Sequence, residues 1–145
     1  PDAASSKQNI DWLKAKVDAG ACEALTQFFF EADGFLRFRD ACADAGITAP
    51  ITPGILPITN WTSARKFAEK CGTYIPDELA QTFDKATRDG RLDLLSVAQC
   101  TELCDDLLNE GVSDLHFYTL NRPDLTRDVC HALGVTQSHS IRNVA

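Results

Sequence analysis

Three short apolar runs, each followed by turn residues and a helical pattern, constrain the fold of this chain more than any other feature of its sequence. They cover residues 24–30, 50–56 and 114–120, and their length and composition are those of buried β-strands. Strands that alternate with helices form βαβ units, in which the strands are parallel and helices cover the sheet. The pattern therefore predicts an α/β fold built on a parallel sheet.

The segments around these runs carry the signals of helices, with glycine just past the end of most of them and proline near the start of several. The predicted helices cover residues 7–19, 35–45, 62–71, 75–86, 92–109 and 124–133. Three of these helices lie between the second and third apolar runs, and neither a linker nor an internal repeat divides the chain.

Three strands are fewer than a common α/β sheet contains. A (βα)8 barrel has eight strands in about 250 residues, and an open doubly wound sheet usually has about five or six. Strands as apolar as these are covered on both faces in such proteins. We therefore expect the remaining strands of the sheet to come from residues that are not in this chain.

Charge and cysteine placement argue against several classes of function. The formal net charge of −7 comes with scattered Lys and Arg, which disfavours binding to nucleic acid or to an anionic membrane surface. No apolar run approaches the roughly 20 residues that span a bilayer. The six cysteines lie mostly within or beside predicted helices and form no CxxC pair. We expect buried or half-buried reduced thiols, no metal site and a cytoplasmic protein.

Several sequence blocks carry the information about function. The most specific are TQFFF, PGILP and HFYTLNR, and weaker blocks are LKAKVDAGA, KFA and CHALGV. In this order and spacing they resemble the methylenetetrahydrofolate reductases of the bacterial catalytic-domain type. The resemblance spans essentially the whole chain. It depends on the combination of blocks, because any one block alone would be weak support.

The resemblance implies a (βα)8 TIM barrel, with residues 1–145 as the C-terminal part of a single catalytic domain. The three strands would be the sixth, seventh and eighth of the barrel, and the first predicted helix would be the fifth. The N-terminal part of the barrel, with the general acid of the reaction, would be supplied elsewhere, so no catalytic residue is expected in this chain. A homo-oligomer is expected by analogy with the family.

The activity that the resemblance implies is the reduction of 5,10-methylenetetrahydrofolate to 5-methyltetrahydrofolate, in one-carbon metabolism and methionine biosynthesis. In the family, NADH (or NADPH in some members) passes a hydride to FAD, and reduced FAD passes it to the folate. The cofactor carries the chemistry, while the protein supplies position and electrostatics. The isolated chain is expected to be inactive.

Three positions near the start of the chain match family residues that contact FAD. Ala3 would contact FAD with its backbone. Asn9 would bond a ribose hydroxyl of FAD, and Lys16 would contact the pyrophosphate, which suits a cation. Asn9 stands where the family has Asp, and Trp12 and Ala15 replace an Asn and an Arg that also approach the cofactor. The alternative for Lys16 is a solvated helical lysine without a ligand.

Three further positions match family residues that bind the folate. Gln27 would contact the pterin ring and the nicotinamide, and its alternative is a core amide bonded to backbone. Arg122 would hold the carboxylates of the glutamate tail with its guanidinium fork, and its alternative is a turn cap. Phe67 would stack on the p-aminobenzoyl group, with core packing equally open. Ser63 replaces a family Gln that contacts substrate.

Two other functions stay open at this point. A non-catalytic half-barrel would act as a binding module through its exposed strand edge. A related flavoenzyme barrel, of the folate-linked demethylase or proline dehydrogenase-like kind, would act on another substrate, but the TQFFF and HFYTLNR blocks favour the reductase. Composition alone does not separate the reductase from the binding module.

Overall fold

The computed structural model describes residues 3–135, with side chains from Lys7 onward. Within that range the chain forms six helices and three strands, with three consecutive helices between the second and third strands. In chain order these are α1 (Ala3–Asp18), β1 (Ala24–Phe28), α2 (Ala32–Asp44), β2 (Ile51–Ile55), α3 (Trp61–Cys71), α4 (Asp77–Arg88), α5 (Leu92–Asn109), β3 (His116–Phe117) and α6 (Pro123–Ala132). None of these helices combines the length and the apolar character that a membrane crossing requires.

The three strands form one parallel sheet in the order β1-β2-β3, so that β2 lies between the other two. Leu25 of β1 is paired with Thr52 of β2, and Gly54 of β2 is paired with His116 of β3. Because the strands are parallel, their carboxyl ends lie at one edge of the sheet, where α/β proteins build their sites. The prediction of an α/β fold with a parallel sheet is confirmed.

The bounds of several elements differ from the prediction, and local backbone geometry explains the main differences. β3 covers only His116–Phe117 of the predicted 114–120, because only these two residues pair with β2; Leu120 and Asn121, with left-handed φ angles of 49° and 61°, then turn the chain. α4 begins at Asp77 rather than at residue 75, because Pro76 is extended and disfavours a helix before it. α1 and α2 begin earlier than predicted, β1 ends earlier, and α5 has the predicted bounds.

Two clusters of buried side chains hold the helices against the sheet. Phe28 and Leu56, at the carboxyl ends of β1 and β2, pack with Trp61 of α3 and Phe83 of α4. Ile55 packs instead with buried side chains of α2, α5 and α6. The first cluster therefore places α3 beside the residues that end the strands, where the predicted substrate-binding residues lie.

All six cysteines are free thiols, and they lie in different environments. Cys42, Cys100 and Cys104 are buried, whereas Cys22 is exposed, which differs from the expected burial. The Cys100 thiol donates a hydrogen bond to Cys104, which raises the pKa of Cys100 and lowers the pKa of Cys104. Burial raises the pKa of Cys42 and Cys130. These shifts belong to thiols of the helices and not to the candidate site residues.

A close contact across the sheet depends on Gly54 having no side chain. A Cβ atom there would lie 2.5 Å from Cε2 of Tyr118 and would also press on the carbonyl oxygen of Thr26. The Gly54 N–H donates to Oγ1 of Thr26 at 3.0 Å, and the Tyr118 hydroxyl donates to the Thr26 carbonyl oxygen at 2.9 Å. We call Thr26, Gly54 and Tyr118 the strand-end cluster, because they join the carboxyl ends of all three strands.

We expect Gly54→Ala to lower the free energy of unfolding by about 1–3 kcal/mol, because the added methyl group must displace either an aromatic ring or a strand. Gly34→Ala is the matched control: Gly34 lies in α2, and an added Cβ there meets nothing within 4 Å. This control should raise the free energy of unfolding by up to about 1 kcal/mol, since alanine favours a helix over glycine. Urea unfolding measures both. Equal midpoints for the two variants would show that the close contact at Gly54 does not matter.

Candidate functional site

Gln27 lies where the pairing of β1 with β2 is irregular. Leu25 is paired with Thr52, and the next paired residue of β1 is Phe28, which faces Gly54. Three residue steps on β1 therefore match two steps on β2. Such a β-bulge adds one residue to a strand and changes the direction of the side chains around it. Gln27 is one of the two residues inside the bulge.

The side chain of Gln27 is exposed, although it is flanked by apolar residues in sequence. Its Oε1 atom accepts a hydrogen bond from the backbone N–H of Phe28 at 3.1 Å. Its NH2 group donates no hydrogen bond to another described residue. The amide is therefore not enclosed in the core, which differs from the expectation for an apolar strand, and it presents two donors at the end of β1.

Phe67 lies on α3, against the residue that follows Gln27. Its ring stacks on Phe28 with the centroids 5.1 Å apart and the planes at 19°, and 37% of Phe67 stays exposed. α3 is fixed at its start by Asn60, whose Oδ1 accepts a hydrogen bond from the Ser63 N–H at 2.8 Å. Phe67 thus packs on the core with one side and presents open aromatic surface with the other, so both of its predicted roles stay compatible with the structure.

Arg122 follows the left-handed turn after β3. Its backbone N–H donates to the Thr119 carbonyl oxygen at 2.9 Å, and it occupies the position just before α6. Its side chain is exposed and makes no capping hydrogen bond to that helix. The turn is therefore held by backbone geometry, and the guanidinium is not used as a cap. A guanidinium has only donors and could not cap a helix N-terminus in any case, so the role of Arg122 in binding carboxylates stays a prediction.

The residues predicted to contact the cofactor lie on α1, which packs against α2. Ala3 is the first residue of the helix. Asn9 and Lys16 are both exposed, and a spacing of seven residues puts them on one face, about 10 Å apart along the axis. Trp12 lies between them on that face and is 61% exposed. We call Asn9, Trp12 and Lys16 the α1 face.

The structure brings some of the predicted residues together and keeps others apart. Gln27 and Phe67 meet through Phe28, and the strand-end cluster connects the same edge of the sheet to the turn that carries Arg122. Among residues 3–135, no side-chain hydrogen bond joins the α1 face to the strand ends. The candidate site therefore has two parts, the strand ends and the α1 face.

No residue of the strand-end cluster was among the predicted site residues. One signal in the sequence could have pointed to this cluster. A glycine inside an apolar strand, as in the PGILP block, marks a point where other atoms approach the backbone closely. The partner of Gly54 could not be read from the sequence, because Tyr118 follows a strand more than 60 residues later.

A separate cleft of about 650 Å³ lies between α3 and α4. Its wall holds Trp61, whose Nε1 donates to Asp84 at 2.7 Å, and Arg65, whose guanidinium lies 5.7 Å from the Trp61 ring centroid and 3.4 Å from the same carboxylate. None of the predicted site residues lines this cleft. Among the described residues, no three His, Cys, Asp or Glu side chains are grouped so that they could hold a metal ion.

Comparison with known proteins decides the family. The profile described as methylenetetrahydrofolate reductase matches residues 1–134, which is nearly the whole sequence. The chain belongs to the methylenetetrahydrofolate reductase family. The family resemblance carried by the TQFFF, PGILP and HFYTLNR blocks is therefore confirmed.

Similar proteins named 5,10-methylenetetrahydrofolate reductase support the same assignment. The one from Escherichia coli (strain K12) is 46% identical over 136 residues, which cover 93% of this chain and 46% of the relative. The one from Salmonella typhimurium (strain LT2) is 44% identical over the same shares of both proteins. The one from Buchnera aphidicola subsp. Acyrthosiphon pisum is 38% identical over 93% of this chain and 47% of the relative. The chain spans about half the length of the curated relatives it matches.

Proposed function

We propose that this chain is the C-terminal part of a (βα)8 barrel that reduces 5,10-methylenetetrahydrofolate to 5-methyltetrahydrofolate. Membership of the reductase family is the observation that carries the proposal. Within the described residues β1 and β3 each pair on one side only, so the sheet offers two edges to which further strands can be added. The length of the relatives supports completion of the barrel by residues outside these 145. We call the completed protein the assembled reductase.

The α1 face has the chemistry to hold one side of FAD. Lys16 offers a cation to a pyrophosphate, and Asn9 offers an amide to a ribose hydroxyl. Both are exposed on one side of the helix, and the ion pair of α1 uses Lys14 and Asp18, at 3.0 Å, rather than Lys16. The backbone of Ala3 would add a contact at the start of the helix. When bound, FAD would supply hydride transfer between NADH or NADPH and the folate.

The strand ends have the chemistry to bind the folate. The Gln27 amide presents donors that match the edge of a pterin ring, and the open surface of Phe67 offers stacking to an aromatic group one step further along the substrate. The Arg122 guanidinium suits the carboxylates of a glutamate tail, which it can bind in a bidentate way. In this proposal the chain binds and orients the substrate, while the general acid comes from the completing part of the barrel. A homo-oligomer stays a prediction.

The isolated 145-residue chain is expected to bind FAD far below one equivalent, because α1 supplies only one wall of the pocket. The ratio of flavin to protein, measured by absorbance after gel filtration, tests this. In the assembled reductase, Lys16→Ala should weaken FAD binding, whereas Lys85→Ala on α4 serves as a control and should not. A yellow, monodisperse preparation of the isolated chain with one FAD per molecule would contradict the proposal that the chain is only part of the pocket.

In the assembled reductase, Gln27→Ala is expected to slow reduction of the folate about ten- to a hundredfold while FAD is retained, because an amide at the edge of the reacting ring acts where charge develops. Stopped-flow reoxidation of the reduced flavin by the folate measures the rate, and flavin absorbance measures retention. Gln81→Ala, at an exposed position of α4, is the matched control. Loss of flavin with an unchanged rate in the remaining holoenzyme would count against the role of Gln27.

Arg122→Ala should raise the KM for the folate and leave kcat nearly unchanged, because a contact to the glutamate tail binds the ground state and the transition state alike. Loss of a charge-assisted bidentate contact suggests about 1.5–3 kcal/mol, or roughly ten- to a hundredfold in KM. Arg122→Lys should recover part of the loss, since it keeps the charge but not the fork. Steady-state kinetics with varied folate measures both.

Arg127→Ala is the control for Arg122, because Arg127 is an exposed arginine of α6 that is already paired with Asp124 at 3.0 Å. The reduction of flavin by NADH should not change in Arg122→Ala. Slower flavin reduction, or an unaltered folate KM, would show that Arg122 does not bind the tail.

A further inference from the structure

Tyr118 makes a contact that the topology of the sheet does not require. β1 and β3 are separated by β2, so no backbone hydrogen bond can join them directly. The Tyr118 hydroxyl nevertheless donates to the Thr26 carbonyl oxygen of β1 at 2.9 Å. The ring crosses β2 at Gly54, the one position of that strand without a side chain. A single side chain thus connects the two outer strands at their carboxyl ends.

The orientation of the Thr26 carbonyl group affects Gln27, because this group belongs to the peptide bond that joins Thr26 to Gln27. A peptide unit is planar, so a hydrogen bond that fixes this oxygen also fixes the orientation of the backbone from which the Gln27 side chain starts. Both residues lie in the bulge, where the regular ladder between β1 and β2 is interrupted. Oγ1 of Thr26 accepts a second hydrogen bond, from the Gly54 N–H at 3.0 Å. The bulge is therefore held by the strand-end cluster in place of the ladder.

Tyr118 itself is held firmly enough to act as a support. Its backbone N–H donates to the Ile55 carbonyl oxygen at 2.8 Å, just past the end of β3. The ring of His116 meets the Tyr118 ring edge to face, with the centroids 4.8 Å apart and the planes at 75°. Its position is thus set by β2 and β3, and the hydroxyl transfers that position to β1.

We propose that Tyr118 is a positioning residue for folate reduction, which acts by fixing the Thr26–Gln27 peptide and so the direction of the Gln27 amide. The inference rests on the proposed function, because it needs Gln27 to contact the substrate. In this role Tyr118 acts through the backbone of β1 and not through a contact of its own with the folate. The Gln27 amide orients the substrate in this proposal, and a displacement of about 1 Å in such a group can lower the reaction rate strongly.

Tyr118→Phe in the assembled reductase tests the inference, because this variant keeps the ring over Gly54 and beside His116 and removes only the hydroxyl. Removal of one hydrogen bond predicts a reoxidation rate of reduced flavin by saturating folate that is about three- to tenfold lower per bound flavin. Tyr74→Phe is the matched control, since Tyr74 is the other tyrosine of the sequence and is 67% exposed. It should leave the rate unchanged.

A double-mutant cycle separates positioning from general structural support. If Tyr118 acts through Gln27, Tyr118→Phe should slow the wild-type enzyme but cause no further loss in a Gln27→Ala background. Thr26→Val, which removes the hydroxyl that accepts from Gly54, should show the same dependence on Gln27 if it folds. It provides a second route to the same result should Tyr118→Phe be too unstable to purify.

The outcomes distinguish the inference from the function on which it rests. Suppose that Gln27→Ala slows folate reduction, but Tyr118→Phe slows the Gln27→Ala variant by the same factor as the wild type, or has no effect at all. The positioning role is then overturned and the proposed function stands. If Gln27→Ala leaves folate reduction unchanged, the substrate contact fails and the inference fails with it. A loss from Tyr118→Phe that disappears in the Gln27→Ala background supports the positioning role.

Discussion

The hydrogen bond from the Tyr118 hydroxyl to the Thr26 carbonyl oxygen crosses the middle strand of a three-stranded parallel sheet, and the arrangement of the site depends on it. The bond exists because Gly54 leaves room for the tyrosine ring. It fixes the end of β1 at the bulge, where the regular hydrogen-bond ladder between β1 and β2 is interrupted. This hydrogen bond therefore fixes the backbone from which the residues after these strands continue.

The arrangement of elements could be predicted from local sequence, because the signals for it are local. Apolar runs separated by helical patterns gave the parallel sheet, and the helix predicted over residues 92–109 matches α5. The N-terminal bound of α4 shows the limit of such reasoning even within a few residues. Proline was recognised as a start signal, but the extended conformation of Pro76 shifted the first helical residue to Asp77.

The geometry of the strand ends could not be predicted in the same way, because it depends on pairing between segments far apart in the chain. Gln27 was expected among buried neighbours, and the bulge that exposes it is defined only by the register of β1 against β2. The short length of β3 likewise follows from its pairing with β2, which involves only His116 and Phe117. The resemblance to the family gave the identities of the candidate residues, whereas their exposure and contacts came from the structure.

The two tryptophans lie in opposite environments, and this makes the chain suited to optical study. Trp61 is buried beside Phe83 and bonded to Asp84, whereas Trp12 projects from α1 with most of its surface in solvent. A buried indole and a solvated one emit at different wavelengths, so the intrinsic fluorescence of the chain contains two separable signals. Events that cover α1 change the signal of Trp12, and loosening of the packing between α3 and α4 changes that of Trp61. Covering of the α1 face and loss of the core can therefore be followed separately without an added label.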